Sequence, residues 1–288
     1  MKSVDILGVQ VDAVTKRELL AALGRDLKSG KRVRIVTVTN EIIMRAASDP
    51  AYLRIVNAAD YRIPDSTGIL WAATYLNKPL RGPLRRLRSR TQAWWLLVWL
   101  AIWPSRAKRV ITETVPGSEL SFDLAALCAK FGYGLYLLGG APGVAEAAAD
   151  RLREHYPKLT VNGSGHGRYV PTAAADRSTR AAVAAAKPRI VLVAYGAPKQ
   201  EQWIARNLGK LPKPVVAIGV GGTLDYLAGA QSVHGGGAAK QPPSVVRRHG
   251  FEWLWRLFTQ PSRWRRIVTA FPKFVGAVER QKRSAYRL

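Results

Sequence analysis

The apolar positions of this chain switch repeatedly between two rhythms. From Val4 to Val11 they alternate with polar ones, the period of a strand, and Thr15-Lys16-Arg17-Glu18 then forms a capping box opening a helix that ends near Gly30. Val33 to Val38 is a β-branched strand ending on Thr37-Val38-Thr39-Asn40-Glu41, and two short helical segments carry the pattern to about Asn57. A short strand from Asp60 enters the loop Pro64-Asp65-Ser66-Thr67-Gly68. Helical spacing resumes over Ser118–Phe131, before a buried strand, Leu135–Leu138, that meets Gly139-Gly140-Ala141-Pro142-Gly143 and an alanine-rich helix ending near Tyr156. Leu159–Val161 predicts a further sheet edge, Gly163–Gly167 a flexible loop, and Ala173–Ala186 a crossover helix. The run Ile190–Val193 stops at Gly196, with Pro198 where a helix to Asn207 would start; Val215–Val220 stops at Gly221-Gly222. Three glycine-terminated strands in series predict an α/β, Rossmann-like, mainly parallel sheet with helices on both faces, the strands' carboxyl ends sharing one rim.

Ligands bind at that rim in open α/β sheets. The helix that follows Gly196 presents its first amides and its dipole to an anion, a phosphate above all, with Lys199, Gln200 and Glu201 at the mouth. An ordinary strand-to-helix connection reads the same way. Asn40 at the end of its strand is either a ligand contact or a helix cap. Asp65, after a proline, is either a general base for a sugar hydroxyl or the cap of the helix beginning near Thr67. Asp225 can hydrogen-bond a base or ribose, or cap its helix. No G-x-G-x-x-G fingerprint follows any strand, which lowers the standing of a nicotinamide oxidoreductase. His166 reads as a solvated loop residue, and Cys128, within L-A-A-L-C-A, as a packed helix residue.

Composition adds a partner. The 288 residues are 48% hydrophobic, which excludes a disordered chain, yet carry a net charge of +26. Nucleic acid, an anionic bilayer or a phosphorylated substrate would each answer that charge, and a basic nucleic-acid-binding module is the alternative function. A single cysteine allows no internal disulfide and points to the cytoplasm, and Asp5 comes too early for a secretory signal. Much of the charge flanks the run A-W-W-L-L-V-W-L-A-I-W, residues 93–103. As a helix those residues rise about 17 Å against about 30 Å of hydrocarbon, so they cannot span a bilayer. Trp94, Trp95, Trp99 and Trp103 between basic flanks have the composition of a headgroup-level segment, a buried core helix being the other reading. The expected organisation is an α/β domain over 1–231 with the insertion 79–110, a Gly/Pro linker 232–244, and a basic helical appendage 245–288. That appendage carries Trp253, Leu254, Leu257 and Phe258 at helical spacing.

The ordered motifs T-x-T-N-E at Asn40, A-D-x-x-x-P-D-S-x-G-I at Asp65, L-L-G-G-x-P-G-V at Leu137, G-A-P-K-Q-E at Gly196, G-V-G-G-x-x-D-x-L-A-G at Gly219 and G-x-E-W-L-x-R at Gly250 resemble the WecG/TagA/CpsF family of bacterial glycosyltransferases. The resemblance implies a metal-independent, inverting transfer from a UDP-sugar to a polyprenyl-diphosphate-linked acceptor at the cytoplasmic membrane face. Cofactors are not implied. Homo-oligomers are compatible with the family, and nucleic acid is not an expected partner. Asp65 matches the family's proposed base, and Thr37, Thr39 and Asn40 match positions lining the sugar pocket. The donor would meet Gly139, Gly140, Gly196, Pro198, Lys199, Gln200, Gly221 and Gly222, with Asp225 near the uracil. Arg256, Arg263 and Arg266 match a basic appendage that closes over the diphosphate and touches the membrane. Two features depart from the family: the insertion itself, and T-E-T-V-P-G at Thr112–Gly117 where R-x-x-G is usual, which makes Glu113 a substitution with consequences for donor or acceptor.

Overall fold

The structure, a computed structural model, describes residues 2–78, 110–165, 169–213, 215–229 and 264–285. The tryptophan segment with Trp94, Trp95, Trp99 and Trp103, the linker, His166, Arg256 and Arg263 lie outside the described residues.

The first alternating stretch is a hairpin, not one strand: β1 (Ser3–Ile6) and β2 (Val9–Asp12) pair antiparallel. Leu7 and Gly8 both adopt positive φ, 53° and 89°, the two-residue turn whose twist suits a hairpin. The capping box at Thr15 is present as expected and opens α1 (Lys16–Ser29), which ends on Gly30 in the left-handed region. Glu113 makes a structural tie, its Oε1 accepting the backbone N–H of Lys16 and so fastening the 110–116 segment to the start of α1.

Next along the chain are β3 (Val33–Val38), α2 (Asn40–Ser48), α3 (Pro50–Asn57), β4 (Tyr61–Pro64) and α4 (Thr67–Asn77). Past the insertion come α5 (Gly117–Phe131), β5 (Leu135–Gly139), α6 (Val144–His155), β6 (Val161–Gly165) and α7 (Ala173–Ala186). The series closes with β7 (Ile190–Ala194), α8 (Lys199–Asn207), β8 (Val216–Gly219), α9 (Thr223–Ala228) and α10 (Trp264–Ser284). Six strands form one parallel sheet in the order β4-β3-β8-β7-β5-β6.

Side-chain alternation divides the core. Ile35, Leu137, Leu192 and Ile218 face α1, α5, α6 and α9, whereas Val36, Val191, Val193 and Ala217 face the other layer, with α2, α4, α7 and α8. The helix leaving β8 therefore goes to the opposite face from the helices leaving its neighbours β3 and β7. Such a divergence opens a crevice at the carboxyl ends.

The expected loop at Gly163–Gly165 is instead the edge strand β6. Tyr136 of β5 lies across it, and a Cβ at Gly163 would sit 2.7 Å from that ring, so glycine here makes room for an aromatic neighbour. Cys128 is fully buried, its thiol pushed up to about 12 by burial, as suits a packing residue.

The C-terminal helix α10 is docked on the body. Phe274, Val275 and Val278 join the core around α2 and α4, with Trp71 stacked on Tyr75 at 5.3 Å and tilted against Phe274 at 6.2 Å. Gln281 accepts from Leu7 N (2.9 Å) and donates to Asp5 Oδ1 (2.7 Å), binding the helix to the N-terminal hairpin. Lys282, 1% exposed, donates to the carbonyl of Tyr75 and lies 4.1 Å from the centroid of its ring. Among the described residues no helix is long and apolar enough to cross a membrane.

Candidate functional site

The site residues singled out from sequence between Thr37 and Asp225 that the structure describes lie at or just after the carboxyl ends of five neighbouring strands. Asp65 follows β4, where its N–H bonds to Val38 O at 2.9 Å and keeps the turn in register with β3. It does not cap α4. Ser66 is the N-cap residue there, with no side-chain cap, whereas Asp65 Oδ1 accepts the N–H of Gly117 at 3.0 Å. Gly117 is the first residue of α5, so the carboxylate of one loop is held by the positive end of another helix. The segment before α5 is pinned alongside by Val115 N donating to Pro64 O at 2.7 Å.

Asn40 opens α2, but its cap is Thr39, whose hydroxyl accepts from Ile42 N at 3.3 Å. That leaves the Asn40 amide pointing across the rim, where Oδ1 accepts from Ser66 Oγ at 3.1 Å. A Cβ at Gly68 would sit 2.6 Å from that same oxygen, so α4 begins with a glycine under the amide. Thr37 is buried, and its hydroxyl donates to Gly219 O at 2.9 Å, fastening the end of β3 to the end of β8. Asp65, Ser66 and Asn40 are thus a partly exposed polar group resting on a buried brace.

Beyond β8 the chain turns through Gly221 and Gly222 into α9, with Asp225 half-buried in its first turn. Gly221 has φ of +55° and open space on its Cβ side, so backbone conformation, not crowding, demands glycine. Two strands over, Gly139 has φ of +108°, and a Cβ there would lie 2.8 Å from the Ala194 carbonyl carbon; Gly140 follows at +86°. Between them, β7 runs through Gly196 and the cis Ala197–Pro198 bond into α8.

The start of α8 differs from the expectation. Lys199 is exposed there and donates to Tyr169 O at 3.3 Å, but Gln200 and Glu201 are each only 2% exposed. The helix buries positions 200, 201, 203, 204 and 207, a phase that turns both side chains down onto the sheet and away from the mouth. Gln200 Oε1 accepts Gly221 N at 2.9 Å, and its Nε2 donates to Glu201 Oε1 at 2.7 Å. Tyr52 of α3 donates to Glu201 Oε2 at 2.9 Å. Burial raises the Glu201 carboxyl above its usual range, while the hydrogen bonds from Gln200 and Tyr52 oppose the shift. No local sequence signal marks Tyr52, which lies 149 residues from Glu201 and looks like any aromatic on an amphipathic helix. Arg266 falls in the first turn of α10. Among the described residues no three His, Cys, Asp or Glu side chains gather as a metal set would.

With this geometry in hand, comparison with known proteins gives a consistent result. The profile of the glycosyl transferase WecG/TagA/CpsF family matches residues 4–87 and 95–288. Relatives named N-acetylglucosaminyldiphosphoundecaprenol N-acetyl-beta-D-mannosaminyltransferase, from Staphylococcus aureus strains NCTC 8325 / PS 47, COL and N315, are each 27% identical over 284 residues, covering 97% of this chain and 93% of the relative.

Proposed function

The chain belongs to the WecG/TagA/CpsF family of glycosyl transferases, and from that premise we propose that it transfers N-acetylmannosamine, or a related sugar such as its uronic acid or glucuronic acid, from a UDP-sugar to a polyprenyl-diphosphate-linked saccharide. The acceptor class follows the name of the staphylococcal relatives, which act on N-acetylglucosaminyldiphosphoundecaprenol. The product would enter cell-surface polysaccharide synthesis. The single observation that carries the reading is that Asp65 stands at the sheet's carboxyl rim beside Ser66, whose hydroxyl donates to Asn40 Oδ1 across from β4 to β3, with the Gly221-Gly222 turn on the next strand, β8.

In the proposed reaction the Asp65 carboxylate accepts the proton of the acceptor hydroxyl. The oxygen so exposed attacks the anomeric carbon from the face opposite UDP, the bond to the β-phosphate oxygen breaks, and the configuration inverts. Asn40 orients the sugar, while Thr37 and Thr39 hold the strand end and helix start that carry it. The departing diphosphate is stabilised by backbone amides of the Gly139-Gly140 and Gly196–Lys199 turns and of Gly222, by Lys199, and by Arg256, Arg263 and Arg266 from the C-terminal region. Asp225 meets the uracil. No D-x-D pair occurs in the sequence to hold a nucleotide-bound divalent ion, which supports metal-independent transfer and predicts activity that survives EDTA. The protein would work on the inner face of the cell membrane as a peripheral enzyme, the tryptophan segment supplying contact with anionic lipid.

A donor screen against synthetic polyprenyl-diphosphate-linked N-acetylglucosamine, read by mass spectrometry, tests this. One UDP-sugar should give a mass increment of a single glycosyl residue, and Asp65→Ala should lose at least a hundredfold in turnover while still binding UDP. Full turnover in that variant would remove its assigned base.

A further inference from the structure

Beneath the rim runs a line of buried polar side chains to which the transfer as described gives no role. Tyr52, Gln200 and Glu201 are 0%, 2% and 2% exposed, and they connect α3, α8 and the turn after β8 by three hydrogen bonds in series. A carboxylate in such a place is expensive for stability, and an apolar side chain of the same size would serve a core better.

The chemistry of the three groups gives the line a direction. An amide has an accepting end and a donating end. Both oxygens of Glu201 accept, so Gln200 must turn Nε2 toward them at 2.7 Å, which leaves Oε1 facing Gly221 N at 2.9 Å. Were the amide turned over, two donors would meet at Gly221 and two acceptors at Glu201. Protonating Glu201 does not undo this: the proton sits on Oε2, Tyr52 Oη becomes its acceptor, and Oε1 still faces Gln200. Space is reserved for the arrangement as well, since a Cβ at Gly219 would lie 2.6 Å from Gln200 Nε2.

We infer that Glu201 and Tyr52 are positioning residues which act through Gln200, orienting its amide so that Oε1 holds the Gly221 turn in the shape that receives the donor's diphosphate. The inference rests on the donor reading above for what the turn binds, but not for how the turn is held. Gln200 is therefore a brace under the donor site and not one of its walls. The acceptor side, built on Asp65 and Asn40, shares no hydrogen bond with the line among the described residues.

Glycine-labelled protein gives the test by NMR, through the exchange rate of the Gly221 amide and its shift on adding UDP. Glu201→Leu should speed exchange of that amide at least tenfold and raise the KM for the UDP-sugar about tenfold, leaving the KM for the lipid-linked acceptor unchanged. Glu201→Gln should restore both, because its carbonyl can accept from Gln200 while its amide donates to Tyr52. Gln200→Met should reproduce the Leu effect, and the double variant should be no worse than Gln200→Met alone. Should Glu201→Leu fail to fold, Tyr52→Phe, which removes one hydrogen bond, should move the same two readouts less far in the same direction. An unchanged Gly221 amide in the variants, additive losses in the double variant, or equal rises in both KM values overturns the inference. A wild-type Gly221 turn that ignores UDP overturns the donor reading instead, with the exchange data still judging the brace.

Discussion

At the scale of single residues, the rim is shaped by what the glycines leave out. Gly68 lies under the Asn40 amide, and a Cβ there would sit 2.6 Å from Oδ1. Gly68→Ala should push Asn40 off Ser66 without disturbing the core below. The expected outcome is at least a tenfold fall in turnover, ~1.4 kcal/mol in the barrier, with the melting temperature within about 2 °C of wild type. Glu201 yields a prediction of another kind. Its folded pKa is raised by burial, so between the unfolded value near 4.3 and the higher folded value the native state holds a proton that the unfolded chain has released. Stability must then decline as pH rises through that window, because the unfolded state binds fewer protons there. Glu201→Gln should be flatter than wild type above about pH 4.3, as read by urea midpoints; a parallel pair of curves would mean that the carboxyl is not burdened by burial.

At the scale of elements, α10 carries a clear signature of its seat. The Lys282 ammonium is lowered to about 8 by burial and by the nearby charge of Lys78. Above pH 8 the folded state sheds a proton that the unfolded chain keeps until about 10.4, so the helix should dock more firmly as pH rises across that interval. Comparing the urea midpoint of wild type with Lys282→Met should show the rise only in wild type. The seat of this helix is not written in its own residues. Phe274, Val275 and Val278 have helical spacing, but nothing local says that their partners are Trp71 and Tyr75, some two hundred residues away. Elements whose cause is local were legible: the Thr15–Glu18 box, the helix at 173–186, and the strands ending in glycine all appear where their residues indicate. Features with long-range causes are not written locally. Gly163–Gly165 pairs with β5 as an edge strand, its glycines leaving room for Tyr136, and of the two readings open for Asp65 the helix cap is not the one seen, its Oδ1 accepting from Gly117, 52 residues on. Gln200 and Glu201 are polar by type, but α8's packing against β8 and α3 buries them.

The whole molecule joins the rim proposed to meet phosphates to a chain with a net charge of +26. The two need not share residues. The glycine turns and Asp65 are fixed by the sheet, whereas Lys273 and Arg280 stay exposed on α10 and the tryptophan run 93–103 is flanked by arginines outside the described residues. Attraction of a basic residue to an anionic bilayer is worth about 1 kcal/mol near the surface and fades within about 8 Å at physiological salt, while indole rings in the headgroup layer are far less sensitive to salt. Binding to phosphatidylglycerol-containing vesicles should therefore weaken steeply between 0.1 and 0.5 M salt (about a tenfold loss or more) yet leave a residue attributable to the tryptophans. Deleting residues 93–103 should abolish that salt-resistant part and leave UDP affinity unchanged, because no backbone amide of the rim belongs to the segment. Vesicle sedimentation with a parallel UDP titration decides it: sedimentation unaltered by the deletion would assign the tryptophans to the protein's interior, and lost UDP binding would tie them to the site.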